Sequence, residues 1–257
     1  VNIFVCVKQV PDTETKIQIK DDKSGITQDS IKWVINPYDE FAIEEAIKLK
    51  QSLGAEKVFA ICLGPQKRVQ DSLRVALAMG CDEGLVIDCE ENLDSLATAK
   101  SIKACIEKVG DFGLVLTGKG AIDENSQALT QQLAALLDVP HAQSVSDIKA
   151  EGSTLTVQRE VESGSKEVFK ITGPCVLGAT KGLNTPRYPS LPGIMKAKKK
   201  PIQIFSMADL GAATDSYTSF IEYKPPAEKP QTKILNGDVN AQVLELVDLL
   251  KNEAKVL

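Results

Sequence analysis

The sequence contains one histidine, His141, and its six cysteines include no CxxC pair. A zinc site draws on clustered cysteine and histidine, and a Ser-His-Asp triad needs a histidine beside its serine, so both chemistries lack their materials. His141 directly follows Pro140 and reads as a helix-end or loop residue. No uninterrupted apolar stretch approaches the ~18 residues that cross a bilayer, so no membrane-embedded segment is expected. Basic charge is short as well. A net charge of −5 argues against a general nucleic-acid binder, which needs a basic field to displace counterions. The exception is local, at Lys196, Lys198, Lys199 and Lys200.

What is present is ordinary globular material: 257 residues, 43% apolar and 25% charged, enough for one large domain or one domain with an appendage. Cys6, Cys62, Cys81, Cys89, Cys105 and Cys175 lie mostly in apolar segments, where free cysteine behaves as a small buried hydrophobe. That usage fits a reducing compartment. Residues 1–7 form an alternating strand that runs into a turn, unlike a signal peptide.

Strands and amphipathic helices alternate through the first half. Residues 2–7 read as a strand, and 37–53 as a helix with Ala42, Ala46, Leu49 and Leu53 on one face. Strand 57–63 is followed by helix 66–79, faced by Val69, Leu73 and Ala76 and stopped at Gly80. Strand 84–88, helix 94–109, strand 112–117 and helix 126–137 continue the series. Such repeated units predict a parallel, Rossmann-like sheet with helices on both faces. Residues 154–161 and 166–171 then read as an added β-hairpin, and 175–180 as one more buried strand. Residues 16–20 and 26–27 suggest a small hairpin beside the sheet. Beyond Gly182 the pattern reads as loop. After Pro225 and Pro226 a polar linker leads to a helix over 239–250, with Val239, Val243, Leu246, Val247 and Leu250 on one face. The expected division is an α/β domain over 1–225 and a linker with a C-terminal arm over 226–257.

Ligands of open parallel sheets collect at the carboxyl ends of the strands. Three ends stand out: Cys6-Val7-Lys8-Gln9, Leu63-Gly64-Pro65, and the run from Gly118 to Ser126. Glycines between a strand and a helix let backbone N–H groups approach an anion near the positive end of the helix dipole. The best-known nucleotide motifs are absent. Residues 113–120 imitate GxxxxGK, but Gly120 stands where serine or threonine must hold magnesium, and the intervening residues read as strand. There is no GxGxxG after the first strand and no SGGxDS loop. Without an acid–base pair or a metal constellation, this pattern argues for nucleotide binding without nucleotide chemistry, and against an enzyme.

Several runs carry a family resemblance. Val5-Cys6-Val7-Lys8-Gln9-Val10-Pro11-Asp12, Asn36-Pro37-Tyr38-Asp39-Glu40, Gly118-Lys119-Gly120-Ala121-Ile122-Asp123 and Val157-Gln158-Arg159-Glu160-Val161-Glu162 resemble the β subunit of electron-transferring flavoproteins. The most specific run is Leu183-Asn184-Thr185-Pro186-Arg187-Tyr188-Pro189-Ser190-Leu191-Pro192-Gly193-Ile194-Met195-Lys196-Ala197-Lys198-Lys199-Lys200. A stress-type nucleotide-binding module would share the alternation but not this run.

The resemblance implies a heterodimer whose α subunit holds the redox-active FAD, while this subunit holds a structural AMP. The AMP site would be lined by Cys6, Asn36, Pro37, Tyr38, Asp39, Leu63, Gly118, Lys119, Gly120, Ala121, Ile122, Asp123, Glu124, Asn125, Ser126, Gln127, Ala128 and Leu129. Electron-bifurcating relatives carry a second FAD there and a GDTAQVGP-like run where this chain has Glu124-Asn125-Ser126-Gln127-Ala128-Leu129-Thr130-Gln131, so AMP is the expectation. Many relatives have glutamine at the place of Gly120, and some an aromatic residue at that of Thr13. The resemblance also implies partners: acyl-CoA and related flavin dehydrogenases as donors and a membrane quinone oxidoreductase as acceptor. Leu191 would be the docking anchor within residues 184–200, beside Pro192, Ile194, Met195, Lys196 and Lys199. Glu160 would touch the mobile flavin domain of the α subunit. The setting implied is bacterial cytoplasm, or the mitochondrial matrix in a eukaryote.

Overall fold

The computed structural model describes residues 1–90, 93–211, 216–229 and 231–257. Apolar alternation at the start forms β1 (Asn2–Cys6), in which Ile3 and Val5 face one layer and Phe4 and Cys6 the other. A two-stranded antiparallel ribbon follows, β2 (Gln9–Pro11) with β3 (Trp33–Ile35). Helix α1 (Pro37–Ser52) starts with proline in its first turn and buries Ala42, Ala46 and Leu49, three of the expected face. Then come β4 (Val58–Gly64), α2 (Gln66–Met79), β5 (Glu83–Asp88), α3 (Ser95–Val109) and β6 (Phe112–Gly118). Gly80 ends α2 at φ 147°, a conformation other residues rarely adopt.

After β6 the chain forms α4 (Leu129–Leu137), β7 (His141–Glu151), β8 (Thr154–Glu160), β9 (Lys166–Thr172) and β10 (Cys175–Ala179). The remainder forms α5 (Leu191–Ala197), β11 (Ile202–Ser206) and α6 (Val239–Asp248). Nine strands make one sheet in the order β11-β5-β4-β1-β6-β10-β7-β8-β9. The seven from β11 to β7 are parallel, and β8 and β9 extend the edge as the antiparallel hairpin. One core lies under α1 and α2, the other under α3 and α4, as a doubly wound sheet requires. Phe4 and Phe59 stack across neighbouring strands, 5.1 Å between ring centroids.

Several expectations need correction. His141 is neither a helix end nor a loop residue; it opens β7 and pairs with Val176. That strand escapes a period-of-two search because a register shift separates buried Ala142 from buried Val145. The stretch beyond Gly182 contains α5 and β11, both too short to show a period. Helix α4 begins three residues after Ser126, because Asn125 (φ 52°) and Gln127 (φ 51°) are left-handed and cannot belong to it. Residues 16–27 do turn back as the small hairpin expected, though through a single antiparallel bridge, Ile19 to Ile26.

Helix α6 buries none of its residues. Val239 is 74% exposed, Val243 53% and Leu244 72%, while Asp238 caps the helix by accepting from Ala241 N. Deleting residues 237–257 should therefore leave the melting temperature of the unpartnered chain within about 2 °C of the parent, the scale of surface changes. A fall well beyond that would mean that the helix stabilises its own chain.

Candidate functional site

The strand order reverses between β1 and β6, the switch point at which a doubly wound sheet opens a crevice. The first turn of α1 closes the floor of this crevice through one side chain. Asp39, 5% exposed, accepts from Lys8 N (2.7 Å) through Oδ2 and from Gly118 N (3.0 Å) and Asn36 Nδ2 (2.9 Å) through Oδ1. The ends of β1 and β6 are thereby tied to α1. Burial pushes the Asp39 carboxyl up to about 7, against the three N–H donors that pull it down. Gly118 is needed for this approach, since a Cβ there would lie 2.3 Å from Asp39 Oδ1.

Asn36 completes the lock. Its Nδ2 also donates to Gly120 O (3.0 Å), and its Oδ1 accepts from Ile122 N (3.1 Å). The whole amide is engaged within the protein, so Asn36 shapes the crevice and has no free side-chain donor for a ligand. Over the rim, Lys8 Nζ meets Asp123 and Glu124, each at 2.9 Å. Burial draws the Lys8 ammonium down, and the two carboxylates outweigh it, leaving its pKa above the ordinary lysine value.

Beyond Asn36, Asp39 and Gly118, the expected site residues fall into three groups. Asp123, Glu124, Asn125, Ser126 and Gln127 are exposed on the rim, with Ala121, Ile122, Ala128 and Leu129 half-buried beside them. Pro37, Tyr38, Lys119 and Gly120 flank the floor half-buried, with the Lys119 ammonium 4.9 Å from the Tyr38 ring centre. Cys6 and Leu63 point elsewhere. The Cys6 side chain packs with Phe4, Phe59 and Ile61 in the core under α3 and α4, leaving its backbone to face the crevice, and Leu63 packs against the same cluster. All six cysteines are buried, and burial pushes the Cys62, Cys81, Cys105 and Cys175 thiols up to about 12. Among the described residues, no group of three or more His, Cys, Asp or Glu could hold a metal ion.

A second surface is built around α5. Ser190 caps it by accepting from Gly193 N, and Ala197 anchors it at 2% exposure. Gly193 meets α2 closely, because a Cβ there would lie 2.7 Å from Ala78 O. Arg74 Nη1 donates to Ala197 O (2.6 Å) and Lys200 O (2.8 Å). Upstream, Arg187 forms a two-pronged pair with Glu44 (2.7 and 2.9 Å), and Asn184 Nδ2 donates to Phe41 O and Glu45. On this braced frame Leu191 stands 81% exposed, beside Met195 at 62% and Ile194 at 42%. Lys200 does not belong to the exposed basic group: its ammonium donates to Leu77 O (3.0 Å) and Cys81 O (2.5 Å) at the end of α2. Glu160 ends β8 in the outer hairpin, exposed. From β4, beneath α2, to β8 is five strand spacings, roughly 24 Å.

Comparison with known proteins gives the setting. An electron transfer flavoprotein domain model matches residues 24–210. The β subunit of the electron transfer flavoprotein of Bacillus subtilis is 41% identical over 261 residues, covering 100% of both chains. The mitochondrial β subunit of Arabidopsis thaliana is 38% identical, covering 99% of each. The human β subunit is 38% identical over 88% of this chain and 89% of its own. The chain belongs to the electron transfer flavoprotein β subunits.

Membership in this family makes the chain one subunit of an electron-carrying flavoprotein, with an α subunit as its partner. It sets aside the stress-type module. No helix among the described residues is long and apolar enough to cross a membrane.

Sequence reasoning missed a polar group behind the rim. Thr117, Thr130 and Gln143 form a hydrogen-bonded chain through Thr130, and Gln143 Nε2 donates to Lys119 O at 2.6 Å. Gln143 lies in the strand that was not foreseen, so no motif pointed to it. The Asp39 lock yields a direct prediction. Gly118→Ala should lower stability by about 1–3 kcal/mol, as overpacked sites do, read as a shift in the denaturant midpoint. An unchanged midpoint would mean that the floor is looser than these distances imply.

Proposed function

We propose that this subunit is the nucleotide-holding and docking half of the heterodimer, with no turnover of its own. AMP sits structurally at the ends of β1 and β6, and FAD is held mainly by the α subunit. FAD supplies the redox chemistry; the side chains of this chain bind and orient. Electrons arrive from acyl-CoA and related flavin dehydrogenases and leave to a membrane quinone oxidoreductase and the respiratory chain, in bacterial cytoplasm or mitochondrial matrix.

The observation that carries the AMP reading is the set of unpaired donors on the rim. Among the described residues the backbone N–H groups of Ser126, Gln127, Ala128 and Leu129 find no hydrogen-bond partner, and α4 starts with neither a side-chain cap nor an acidic residue in its first turn. A phosphate suits such a helix start, which carries roughly half a positive charge. The rim acids do not oppose it fully, because Lys8 engages both Asp123 and Glu124. The adenosine would run across the floor, along the backbone of Cys6, the 36–39 turn and Leu63.

Leu191 is the docking anchor for the dehydrogenases. An exposed leucine on a braced helix has little entropy to lose on binding, and Lys196, Lys198 and Lys199 steer an acidic surface towards it. Pro192, Ile194 and Met195 complete the contact. Glu160, far across the sheet, touches the mobile flavin domain of the α subunit, and the uncovered face of α6 packs on that subunit as an arm.

Two experiments test this. Denaturing the purified heterodimer and separating the released nucleotides should give one AMP and one FAD. Two FAD and no AMP would replace this reading with the electron-bifurcating one. Leu191→Ala should slow transfer from acyl-CoA dehydrogenases several-fold, leaving nucleotide content and melting temperature unchanged. A variant that melts early yet docks normally would make Leu191 a packing residue instead.

A further inference from the structure

Behind the 118–129 loop lies a polar chain that the nucleotide reading does not use. Thr117 in β6 and Thr130 in α4 are each 1% exposed, and their hydroxyl oxygens lie 2.7 Å apart. Thr130 Oγ1 donates to Gln143 Oε1 at 3.0 Å. With that proton committed, Thr117 must donate to Thr130, and the chain has one direction. At its far end Gln143 Nε2 donates to Lys119 O (2.6 Å) and Gln127 O (3.4 Å). One amide group holds both ends of the loop.

Three backbone features share this one side chain. Leu177 pairs with Ala142 and Ala179 with Val145, so β7 has one residue more than β10 between them, a bulge beside Gln143. Ser144, next along, has φ 58°, a left-handed conformation that costs a non-glycine residue energy. Opposite lies Gly178, where a Cβ would fall 1.7 Å from Gln143 Oε1. Only glycine lets the amide lie across β10. An apolar side chain of similar length would fill the space but leave the Lys119 carbonyl without this donor and the Thr130 hydroxyl proton without this acceptor.

We propose that Gln143 is a positioning residue, a latch that holds the 118–129 loop in the shape that receives the phosphate of the bound nucleotide. The inference rests on the AMP reading for what the loop binds, and on the hydrogen bonds alone for the latch. Both donors of the Gln143 amide are spent on the loop itself. Gln143 acts through Lys119 and Gln127, by fixing where the N–H groups between Ser126 and Leu129 stand.

The test uses the purified heterodimer and three variants: Gln143→Ala, Gly178→Ala and the double substitution. Amide hydrogen exchange is followed at residues 119–127 and, as a reference, at 114–116 in β6, and AMP release is followed by exchange with labelled AMP. In Gln143→Ala the loop amides should exchange about tenfold faster with the β6 reference unchanged, and AMP should leave about tenfold faster. Gly178→Ala should do the same by displacing the amide, and the double variant should be no worse than either single one. Unaltered loop exchange in Gln143→Ala, or effects of the two substitutions that add, would overturn the latch. A loosened loop with unchanged AMP release would overturn its role towards the nucleotide. If the parent heterodimer holds no AMP, the nucleotide reading fails by itself, and the exchange data still decide whether Gln143 latches the loop.

Discussion

The carboxylate of Asp39 has been taken out of water and is held there by N–H groups from three separate stretches of chain. Lys8 follows β1, Asn36 precedes α1, and Gly118 ends β6. A buried carboxylate without such donors is costly, so these segments cannot drift apart without exposing the charge or stranding it. The consequence spreads outward. Gly118 must lack a side chain, Asn36 must spend its whole amide on Asp39, Gly120 and Ile122, and the loop beyond must leave β6 along the path that the lock sets.

From that fixed floor the rim can differ in character. Residues 123–127 are exposed, contain two left-handed backbones and, among the described residues, leave the N–H groups at their far end without partners. A rigid floor under an unsatisfied rim is a binding arrangement, because the ordering cost is met before the ligand arrives. The α5 surface follows the same logic with apolar chemistry. Arg74, Gly193 and the Arg187–Glu44 pair brace the backbone, and Leu191 is left in water. Both places combine local rigidity with an unmet demand, one for an anion and one for an apolar partner.

Much of this was legible in the sequence, for identifiable reasons. The parallel strands β1, β4, β5, β6 and β10 are mostly apolar runs and α1 and α2 carry periodic faces, so their boundaries agree to within one or two residues. The 154–172 hairpin announced itself through two alternating runs around Ser163-Gly164. The failures are where a local rule is broken. A bulge removes the alternation from β7, left-handed backbone at Asn125 and Gln127 delays α4, and α5 is too short for periodicity to register. At the crevice, the motifs marked which strand ends come together, but the division of labour among their side chains was not readable. Asn36 serves the fold, the Cys6 thiol points into the core, and Lys200 caps α2 instead of joining the exposed lysines. Those roles depend on where side chains point, and spacing along a chain does not carry that.

The most direct measurement is AMP affinity in a heterodimer carrying Asp39→Asn. Both carboxylate oxygens accept N–H groups, so an asparagine turned either way sets its own N–H against one of them. The account predicts AMP bound at least about tenfold more weakly, on the scale of the ~1–3 kcal/mol that an unpaired buried group costs, with the FAD of the α subunit still in place. Parental AMP affinity and parental stability in that variant would contradict the claim that this carboxylate organises the crevice.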